Sequence, residues 1–434
     1  MENKVLAANI KEAGYDNKPI IKNISFDLSP GEILVVTGRS GSGKTTLLRS
    51  ITGLIYVKQG FFHGEIRILD KTYKKPDPLE ILSITSYIPQ EPWYSIVGYS
   101  VRSEYCHAAS IKGLKCELSK LENYGLQGLV DHITYGLSSG QIQRLLWAET
   151  IEIRNPLLLM DEPYTYIDLQ GRGVFKKYIE KYIGENGSIV IVDHIPGNWS
   201  EFEPKMLILE NGNQKYYGKY IEVDTPKTSF LREKTGSDEK LLEAHDLWYK
   251  YPGYQMILKG VDIEVKRGEV IGLIGKNGSG KTTLLKLLAG IYKPVRGEIE
   301  RYGSIIYVPE NPLLYFTYPT PREELYSSNN NVKLVEDVID RFNLWSVLDK
   351  PLAKLSSGER RRVAIASSFL RNYDIYLLDE PTGGLDYYNL IEIIESINHL
   401  RRNKCGVIIS HHDPRLRGLF DRECILENGV LKCN

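Results

Sequence analysis

The chain contains the stretch Gly38-Arg39-Ser40-Gly41-Ser42-Gly43-Lys44-Thr45, and a second stretch of the same form occurs later, Gly275-Lys276-Asn277-Gly278-Ser279-Gly280-Lys281-Thr282. Both match G-x-x-x-x-G-K-[ST], a loop whose glycines let backbone N–H groups surround phosphate while the following helix directs its positive dipole end toward it. In such loops the lysine contacts the terminal phosphates and the threonine hydroxyl holds Mg²⁺. Because continuous apolar runs at 33–36 and 270–274 precede the loops, the pattern predicts two strand–loop–helix phosphate sites.

The two loops belong to a longer internal repeat, in which four motifs recur in the same order. The repeated segments are 41–48 with 278–285, 137–140 with 355–358, 161–163 with 379–381, and 210–212 with 427–429. The offset is 237 residues at the loop lysines but 218 at the aspartates, so the first half carries about 19 additional residues, mostly near 61–80. Such a difference predicts a surface loop or an additional strand on an unchanged core.

A chain of 434 residues exceeds one ordinary core and suits two domains. We predict a first domain at 1–223, a polar linker containing Pro and Gly at 224–240, and a second domain at 241–434. Continuous apolar runs separated by helical stretches indicate buried strands of a parallel sheet in each half. The predicted fold class is therefore α/β.

The composition excludes several classes of function. Lys and Arg together number 55, as do Asp and Glu, which argues against direct nucleic-acid binding. No apolar run approaches the roughly 18 residues of a membrane span, and we expect no secretory signal. Without C-x-x-C spacing, we expect no metal cluster or disulfide framework but reduced cytosolic thiols. The cysteines are Cys106, Cys116, Cys405, Cys424 and Cys433.

An Asp-Glu pair ends a continuous apolar run in each half, Asp161-Glu162 after 157–160 and Asp379-Glu380 after 375–378. At the end of a buried strand, the Asp would orient the Mg²⁺ shell and the Glu would polarise the attacking water. The alternative, that the acids only end a strand, fits the long apolar run before them less well. We predict Glu162 and Glu380 as catalytic residues.

The segments Leu137-Ser138-Ser139-Gly140-Gln141 and Leu355-Ser356-Ser357-Gly358-Glu359 resemble the signature sequence of ABC ATPases, with serine in place of the usual central glycine. Each lies 21 residues before its Asp, and the resemblance covers the chain apart from the linker. It implies two tandem P-loop NTPase domains, each with a parallel core sheet, an antiparallel β subdomain and a helical subdomain. The implied cofactors are ATP and Mg²⁺.

The resemblance also implies that each signature faces the phosphate loop of the other domain, through intramolecular pairing of the two ATPase domains. One site would combine Lys44 and Glu162 with Ser356, and the other Lys281 and Glu380 with Ser138. The ATP-binding residues implied in the first half are Tyr15, Gly38, Ser40, Gly41, Ser42, Gly43, Lys44, Thr45, Thr46, Ser138, Gly140 and Gln141. Those in the second half are Tyr251, Gly275, Asn277, Gly278, Ser279, Gly280, Lys281, Thr282, Thr283, Ser356, Gly358 and Glu359.

Further family positions follow from spacing. His194 and His411 lie 33 and 32 residues after the Asp and resemble the switch histidine that contacts the γ-phosphate; His412 is the alternative in the second half. Tyr15 and Tyr251 lie 29 and 30 residues before the loop lysines, where the family stacks an aromatic ring on adenine.

The halves differ at two family positions. Gln90 stands where the family senses γ-phosphate and Mg²⁺, but its counterpart is Glu310, which adds negative charge near the phosphates. Bulky residues at 164–166 replace the small ones at 382–384, so we expect two distinct sites that hydrolyse ATP unequally. The predicted Mg²⁺ ligands are Thr45, Gln90, Asp161, Thr282, Glu310 and Asp379.

The segment 89–104 is similar to the corresponding part of energy-coupling factor (ECF) importers. This resemblance implies an ATPase on the cytoplasmic face of the cell membrane, attached to a transmembrane coupling subunit and a substrate-binding membrane subunit that import a vitamin or transition-metal ion. Trp93, Tyr94, Ile96 and Val97 could line a groove for a partner helix, or instead pack inside the helical subdomain.

Two other kinds of ABC ATPase share the duplication. One is a soluble tandem ABC ATPase acting on ribosomes or translation, which usually carries a longer charged linker or a cysteine-rich cluster. The other is a DNA-repair ATPase with long insertions. The sequence shows none of these additions, so the transporter is the main hypothesis and the ribosome the alternative.

Overall fold

The computed structural model describes residues 4–223, 237–252, 255–416 and 418–434. The chain forms two compact units that divide between residues 225 and 226. Most of the predicted linker, 224–236, lies outside the described residues, and Lys240 already begins a strand. No helix in the described ranges has the length and hydropathy needed to cross a bilayer.

The first unit contains a long mixed sheet and helices on both sides of its parallel part. Its strands are β1 Leu6–Tyr15, β2 Lys18–Leu28, β3 Ile33–Thr37, β4 Gly60–Ile68, β5 Lys71–Tyr73, β6 Thr85–Ile88, β7 Leu157–Asp161, β8 Ser188–Val192, β9 Lys205–Glu210 and β10 Asn213–Lys219. Its helices are α1 Lys44–Thr52, α2 Leu54–Val57, α3 Pro78–Ile84, α4 Val101–Ile111, α5 Ser139–Ile153 and α6 Leu169–Gly184.

The order of strands is β5-β4-β1-β2-β10-β9-β3-β8-β7-β6. Strands β9, β3, β8, β7 and β6 pair in parallel, whereas β1, β2, β4 and β5 pair antiparallel. A single parallel pairing between β10 and β2 joins the two parts. The parallel core and the antiparallel β subdomain are therefore continuous in this unit.

The second unit has the same parts in two separate sheets. Its strands are β11 Lys240–Tyr249, β12 Leu258–Lys266, β13 Val270–Ile274, β14 Arg296–Arg301, β15 Ile305–Val308, β16 Ile375–Asp379, β17 Gly406–Ser410, β18 Arg422–Glu427 and β19 Val430–Cys433. Its helices are α7 Lys281–Leu288, α8 Pro321–Ser328, α9 Val332–Arg341, α10 Ser357–Leu370 and α11 Tyr387–Arg402. The antiparallel sheet has the strand order β12-β11-β14. The other sheet has the order β15-β16-β17-β13-β18-β19, and its neighbouring strands are parallel except for β18 and β19, which are antiparallel.

The parallel strands are apolar along their length because both faces of the sheet are covered. Every residue of β3, β7 and β8 is buried. Within β7, Leu157 and Leu159 enter one hydrophobic core while Leu158 and Met160 enter another. This explains why the core strands appear as continuous apolar runs rather than as alternating patterns.

The additional residues of the first half form secondary structure. Strand β5 pairs with β4 at the edge of the sheet, and helix α3 follows it. In the second unit β14 leads to β15 with neither element between them. The insertion therefore extends the sheet edge and leaves the parallel core unchanged, as the sequence predicted.

The expectation of five reduced thiols is wrong for four of the cysteines. Disulfides join Cys106 to Cys116 and Cys424 to Cys433, whereas Cys405 is a free and buried thiol. The hairpin register places Cys424 opposite Cys433 on β18 and β19. Turn hydrogen bonds after α4 reverse the chain toward Cys106. Both pairs depend on local chain reversals that C-x-x-C spacing does not detect.

In the second unit, Glu324 on α8 is fully buried, and its carboxylate accepts several hydrogen bonds. Its carboxylate accepts the backbone N–H groups of Thr317 and Tyr318 at 2.9 and 3.1 Å and the Ser367 hydroxyl at 3.1 Å. The Arg371 guanidinium lies 2.7 Å from it and supplies the neutralising charge. This ion pair connects the segment before α8 to the end of α10.

Replacing Arg371 by methionine should therefore destabilise the second unit strongly. The change leaves a buried carboxylate without its cation, which typically costs about 3–5 kcal/mol of unfolding free energy. Arg322→Met is the control, because the Arg322–Asp349 pair is largely exposed and such pairs contribute at most about 1 kcal/mol. Chemical denaturation measures both; equal losses would contradict the role given to the buried pair.

Candidate functional site

Each phosphate loop lies where a buried parallel strand ends and a helix begins. In the first unit the loop runs from the end of β3 to Lys44, the first residue of α1. Gly38 and Gly43 have φ values of 151° and 98°, which favour glycine. An added Cβ at Gly38 would lie 2.3 Å from the Leu209 carbonyl oxygen, and one at Gly43 2.2 Å from Ile21. The loop therefore needs both glycines for its backbone path and for space.

The loop lysines are held close to the loop backbone. Lys44 Nζ donates to the carbonyl oxygens of Gly38 and Arg39 at 2.8 and 3.0 Å. Lys281 Nζ donates to Gly275 at 2.8 Å in the second unit. The Ser42 hydroxyl in the first loop, and Ser279 in the second, are buried without a hydrogen-bond partner among the described residues. A cationic loop with unsatisfied donors suits phosphate oxygens, so these residues fit the nucleotide that the motif predicts.

Asp161 at the end of β7 has the features of a metal ligand. Both carboxylate oxygens are buried, and neither makes a hydrogen bond to a described residue. Burial and the neighbouring Glu162 raise the pKa of Asp161 to about 6, and nearby Thr45 offsets part of this effect. A buried carboxylate with so little hydrogen bonding is costly unless a cation binds to it. With Thr45 and Gln90 it would hold Mg²⁺, which orients the phosphates when bound.

Asp379 in the second unit differs, because its carboxylate is already hydrogen-bonded. The Ser410 hydroxyl donates to it at 2.6 Å and the Tyr307 hydroxyl at 3.0 Å. Ser410 stands in register with Asp379, whereas Val192 occupies the corresponding position beside Asp161. The spacing of the sequence motifs carried no sign of this difference.

Glu162 follows Asp161 in the left-handed region, at φ 49°, and its carboxylate contacts two predicted site residues. His194 Nε2 lies 2.7 Å from one oxygen, and Gln90 Nε2 donates to the other at 2.8 Å. Burial disfavours the ionised form, but His194, Lys44 and Gln90 outweigh it and hold the pKa of Glu162 below its usual range. The structure therefore brings together a carboxylate, an imidazole and an amide, a set able to orient a water molecule.

Glu380 has a different electrostatic environment. Burial raises its pKa to about 8; Lys281 opposes the shift, while Glu310 and Asp379 reinforce it. The negative charge expected at Glu310 therefore contributes to the raised pKa of Glu380. The Glu310 backbone oxygen accepts from Arg361, which also donates to the Gly383 carbonyl. No sequence motif pointed to Arg361, whose place is taken by Gln143 in the first unit.

The structure places His412, not His411, at the second site, which corrects the sequence expectation. His412 Nε2 lies 3.3 Å from Glu380 and 2.8 Å from Lys281 Nζ. His411 is buried against Phe420, and burial lowers its pKa to about 4. Successive side chains at a strand end point in opposite directions, so one residue decides the role. His412 lies 33 residues after Asp379, the same interval as from Asp161 to His194.

The signature serines begin helices. Ser138 caps α5 and exchanges hydrogen bonds with Gln141, and Ser356 caps α10 and does the same with Glu359. These capping boxes leave helix N–H groups available at the start of each helix. The S-x-x-[EQ] pattern predicts this geometry locally. That Gly140, Gly358 and the serines bind γ-phosphate in the opposite domain stays a prediction.

The two candidate adenine-stacking tyrosines have different surroundings. The Tyr15 hydroxyl accepts from Arg49 on α1 at 3.4 Å. The Tyr251 hydroxyl lies 3.1 Å from Thr283 Oγ1 on α7, and its ring meets Tyr292 edge to face. Both tyrosines therefore touch the helix that follows the phosphate loop. Their stacking on adenine stays a prediction.

Neutralising the two aspartates should change stability in opposite directions. Asp161→Asn removes a buried charge with little hydrogen bonding and should raise the unfolding free energy without nucleotide by about 1–3 kcal/mol. Asp379→Asn replaces one of its two acceptor oxygens by an amide nitrogen, so it disrupts one of the two hydrogen bonds and should lower the unfolding free energy by a similar amount. Thermal unfolding in EDTA measures both, and ATPase activity with Mg²⁺ should fall in each. If both substitutions lowered the unfolding free energy, the difference in hydrogen bonding between Asp161 and Asp379 would be contradicted.

The two adjacent histidines should also separate function from stability. His412→Ala should slow hydrolysis at the second site by about 10²-fold, because it removes the imidazole beside Glu380. His411→Ala should leave that rate nearly unchanged while lowering the melting temperature, because it leaves a cavity against Phe420. Single-turnover ATPase assays and thermal unfolding distinguish them. The reverse pattern would restore His411 as the site residue.

Comparison with known proteins identifies the family of the chain. The ABC transporter family profile matches residues 21–165 and 258–383. A putative ABC transporter ATP-binding protein of Sulfurisphaera tokodaii is 30% identical over 90% of this chain and 89% of its own length. One from Treponema denticola is 26% identical over 95% of this chain and 92% of its own.

Solved structures show the same tandem fold. A ribosome-bound archaeal Pelota and ABCE1 complex matches with a TM-score of 0.70 at 21% identity, covering 98% of this chain and 78% of that one. RNase-L inhibitor matches with a TM-score of 0.64 at 22% identity, covering 100% and 90%. With two phosphate loops, two acidic pairs and two signature helices, the chain belongs to the ABC transporter family as a tandem ABC ATPase that uses ATP and Mg²⁺.

Proposed function

We propose that this chain is the ATP-hydrolysing subunit that powers a membrane transporter. In this proposal its two domains pair within the chain, and it attaches to the cytoplasmic face of the membrane through a transmembrane coupling subunit, beside a substrate-binding membrane subunit. The ECF-type version adds a vitamin or transition-metal ion as cargo. The observation that carries the proposal is an exposed apolar surface next to the first site.

This coupling surface consists of five side chains from two segments of the first unit. Val97 is 81% exposed and Tyr135 89% exposed, values unusual for residues of this size. A bridge between Ser100 and Ile133 brings the segments together, and Thr134 donates its backbone N–H to Tyr99 at 3.0 Å. The members of the coupling surface are Tyr94, Val97, Tyr99, Ile133 and Tyr135.

Some of the residues after Gln90 pack inside the protein, as the alternative interpretation predicted. Trp93 and Ile96 pack against the core that contains α5, and Trp93 contacts Tyr166 with ring centroids 5.4 Å apart. Tyr94 and Val97 remain on the surface. The segment therefore has one face toward the core and one available to a partner, and Gln90 at its start bonds to Glu162.

The names of the relatives support the transporter proposal, because those similar over nine-tenths of this chain are described as ABC transporter ATP-binding proteins. A second candidate is a tandem ABC ATPase that acts on ribosomes. Matched structures include the archaeal ribosome recycling factor aABCE1 with ribosomal stalk protein aP1 and the ribosome-bound complex, and each covers more than nine-tenths of this chain. These likenesses favour the second candidate over the ECF-type version in particular.

Affinity purification from detergent-solubilised native membranes tests the proposal. A tagged chain should recover a protein with several membrane spans, and Val97→Asp/Tyr135→Ser should reduce that recovery at least about tenfold by placing polar groups in the apolar contact. Leu79→Asp on α3 is the control, since Leu79 is exposed outside the coupling surface. Basal ATPase activity should be unchanged in all variants.

The second candidate predicts a different result in the same experiment. Ribosomal particles would be recovered, from the cytosolic fraction as well, and no multi-span protein would depend on Val97 and Tyr135. That outcome would overturn the transporter proposal while leaving the ATPase assignment intact.

A further inference from the structure

The backbone around His194 is fixed by the residue before it. Asp193 is buried, and its backbone N–H donates to Val36 on β3 at 3.1 Å. Its side-chain Oδ1 accepts the backbone N–H of Ile195 at 2.8 Å. This bond between residues i and i+2 forms an Asx turn that encloses His194. The position of the imidazole therefore depends on the Asp193 carboxylate.

His194 needs such support because its ring has a single contact that orients it. Nε2 lies 2.7 Å from Glu162, whereas Nδ1 is buried without a hydrogen-bond partner among the described residues. Functional imidazoles are usually oriented by a partner on the second nitrogen. At this site the Asx turn at Asp193 orients the His194 ring instead.

Trp199 binds the other oxygen of the Asp193 carboxylate. It lies in the short 3-10 helix Pro196–Phe202 and is 0% exposed. Its Nε1 donates to Asp193 Oδ2 at 2.7 Å, and Asn198 donates to the same oxygen at 3.3 Å. Each carboxylate oxygen of Asp193 is thus held, one by the turn and one by the indole.

The same indole also packs against the segment that follows Glu162. Its ring stacks on Tyr164 with centroids 4.5 Å apart and planes 12° from parallel. The Arg172 guanidinium lies over the Tyr164 ring, 5.2 Å from its centroid. Trp199 therefore touches both segments that carry the first site's catalytic pair, two residues after Glu162 and one residue before His194.

The second unit has no equivalent of this arrangement among its described residues. At the position of Asp193 the second unit has His411, whose backbone N–H donates to the Leu273 carbonyl on β13. Its ring stacks on Phe420, neither ring nitrogen makes a hydrogen bond of ordinary geometry in the described part of the unit, and the neighbouring Asp413 backbone and carboxylate only partly oppose the lowering of the His411 pKa by burial. Thr382 stands where the first unit has Tyr164. The aromatic support thus belongs to the first site.

We propose that Trp199 is a positioning residue for ATP hydrolysis at the first site. By holding Asp193 and stacking on Tyr164, it keeps His194 Nε2 against Glu162, so that both groups are in place when nucleotide binds. None of the Trp199 contacts described above is with the phosphate loop. Its loss should therefore slow turnover without weakening ATP binding.

Trp147 provides a matched control in the same unit. It is buried to a similar degree and stacks on Phe175 with centroids 3.7 Å apart. Its indole N–H, however, has no hydrogen-bond partner among the described residues. Changing either tryptophan to phenylalanine removes similar volume and disturbs one stack, but only Trp199→Phe removes a bond to Asp193.

Steady-state ATPase kinetics and thermal unfolding test the proposal. Trp199→Phe should lower kcat by up to about twofold, because only one of two sites is affected, and leave KM for ATP unchanged. Trp147→Phe should lose similar thermal stability but keep kcat near wild type. Asp193→Asn keeps the stack and removes an acceptor, so it should lower kcat in the same way if Trp199→Phe does not fold.

A double-mutant cycle with His194→Ala, measured in a Glu380→Gln background in which the second site is slowed, decides whether Trp199 acts through the histidine. When His194 is absent, Trp199→Phe should cause no further loss of kcat. An equal loss in both backgrounds would overturn the proposal, as would a Trp199→Phe enzyme indistinguishable from Trp147→Phe. A rise in KM with unchanged kcat would also overturn it, since that would place the effect on nucleotide binding.

Discussion

The parallel pairing of the loop strand with its neighbours is the constraint on which both sites depend. In the first unit Val36 on β3 and Asp161 on β7 both pair with Val192 on β8, so the three strands end at one edge. The phosphate loop, the acidic pair and His194 follow directly from those ends. Open α/β sheets bind ligands at the carboxyl edge for this reason. A shift of one residue in any pairing would turn the predicted catalytic side chains toward the opposite face of the sheet.

Equal backbone geometry does not make the two sites chemically equal. Glu162 and Glu380 share a φ of 49°, yet the pKa of the first lies below its usual range and that of the second is raised to about 8. The difference comes from neighbours. Gln90 donates a hydrogen bond to Glu162, whereas Glu310 brings a second negative charge near Glu380. The duplicated fold thus carries two different electrostatic environments, as the substitution of Gln by Glu led us to expect.

The bulky residues of the first half acquire a physical role from their packing. The sequence showed only that Tyr164 and Tyr166 replace small residues. In the structure Tyr164 stacks on Trp199 and Tyr166 contacts Trp93, which joins the segment after Glu162 to both the histidine turn and the coupling surface's own segment. Aromatic contacts of this kind are rigid and contribute beyond their buried area. In the second unit the corresponding segments are joined instead by Arg361, which donates to the Glu310 and Gly383 carbonyls.

The duplication, the α/β class, the phosphate loops, the acidic pairs and the family could all be predicted before the fold was known, because each is encoded by neighbouring residues at fixed spacing. Which of His411 and His412 faces Glu380 depends on the folded strands, since adjacent side chains at a strand end point apart and the pairing register selects one. The tertiary structure also decided that Ser410 and Tyr307 satisfy Asp379 while Asp161 has no such partners. The cysteine pairs were hidden for a related reason, because hairpin register and chain reversal bring them together. Such contacts join residues whose positions the local pattern leaves independent, and only folding fixes the distance between them.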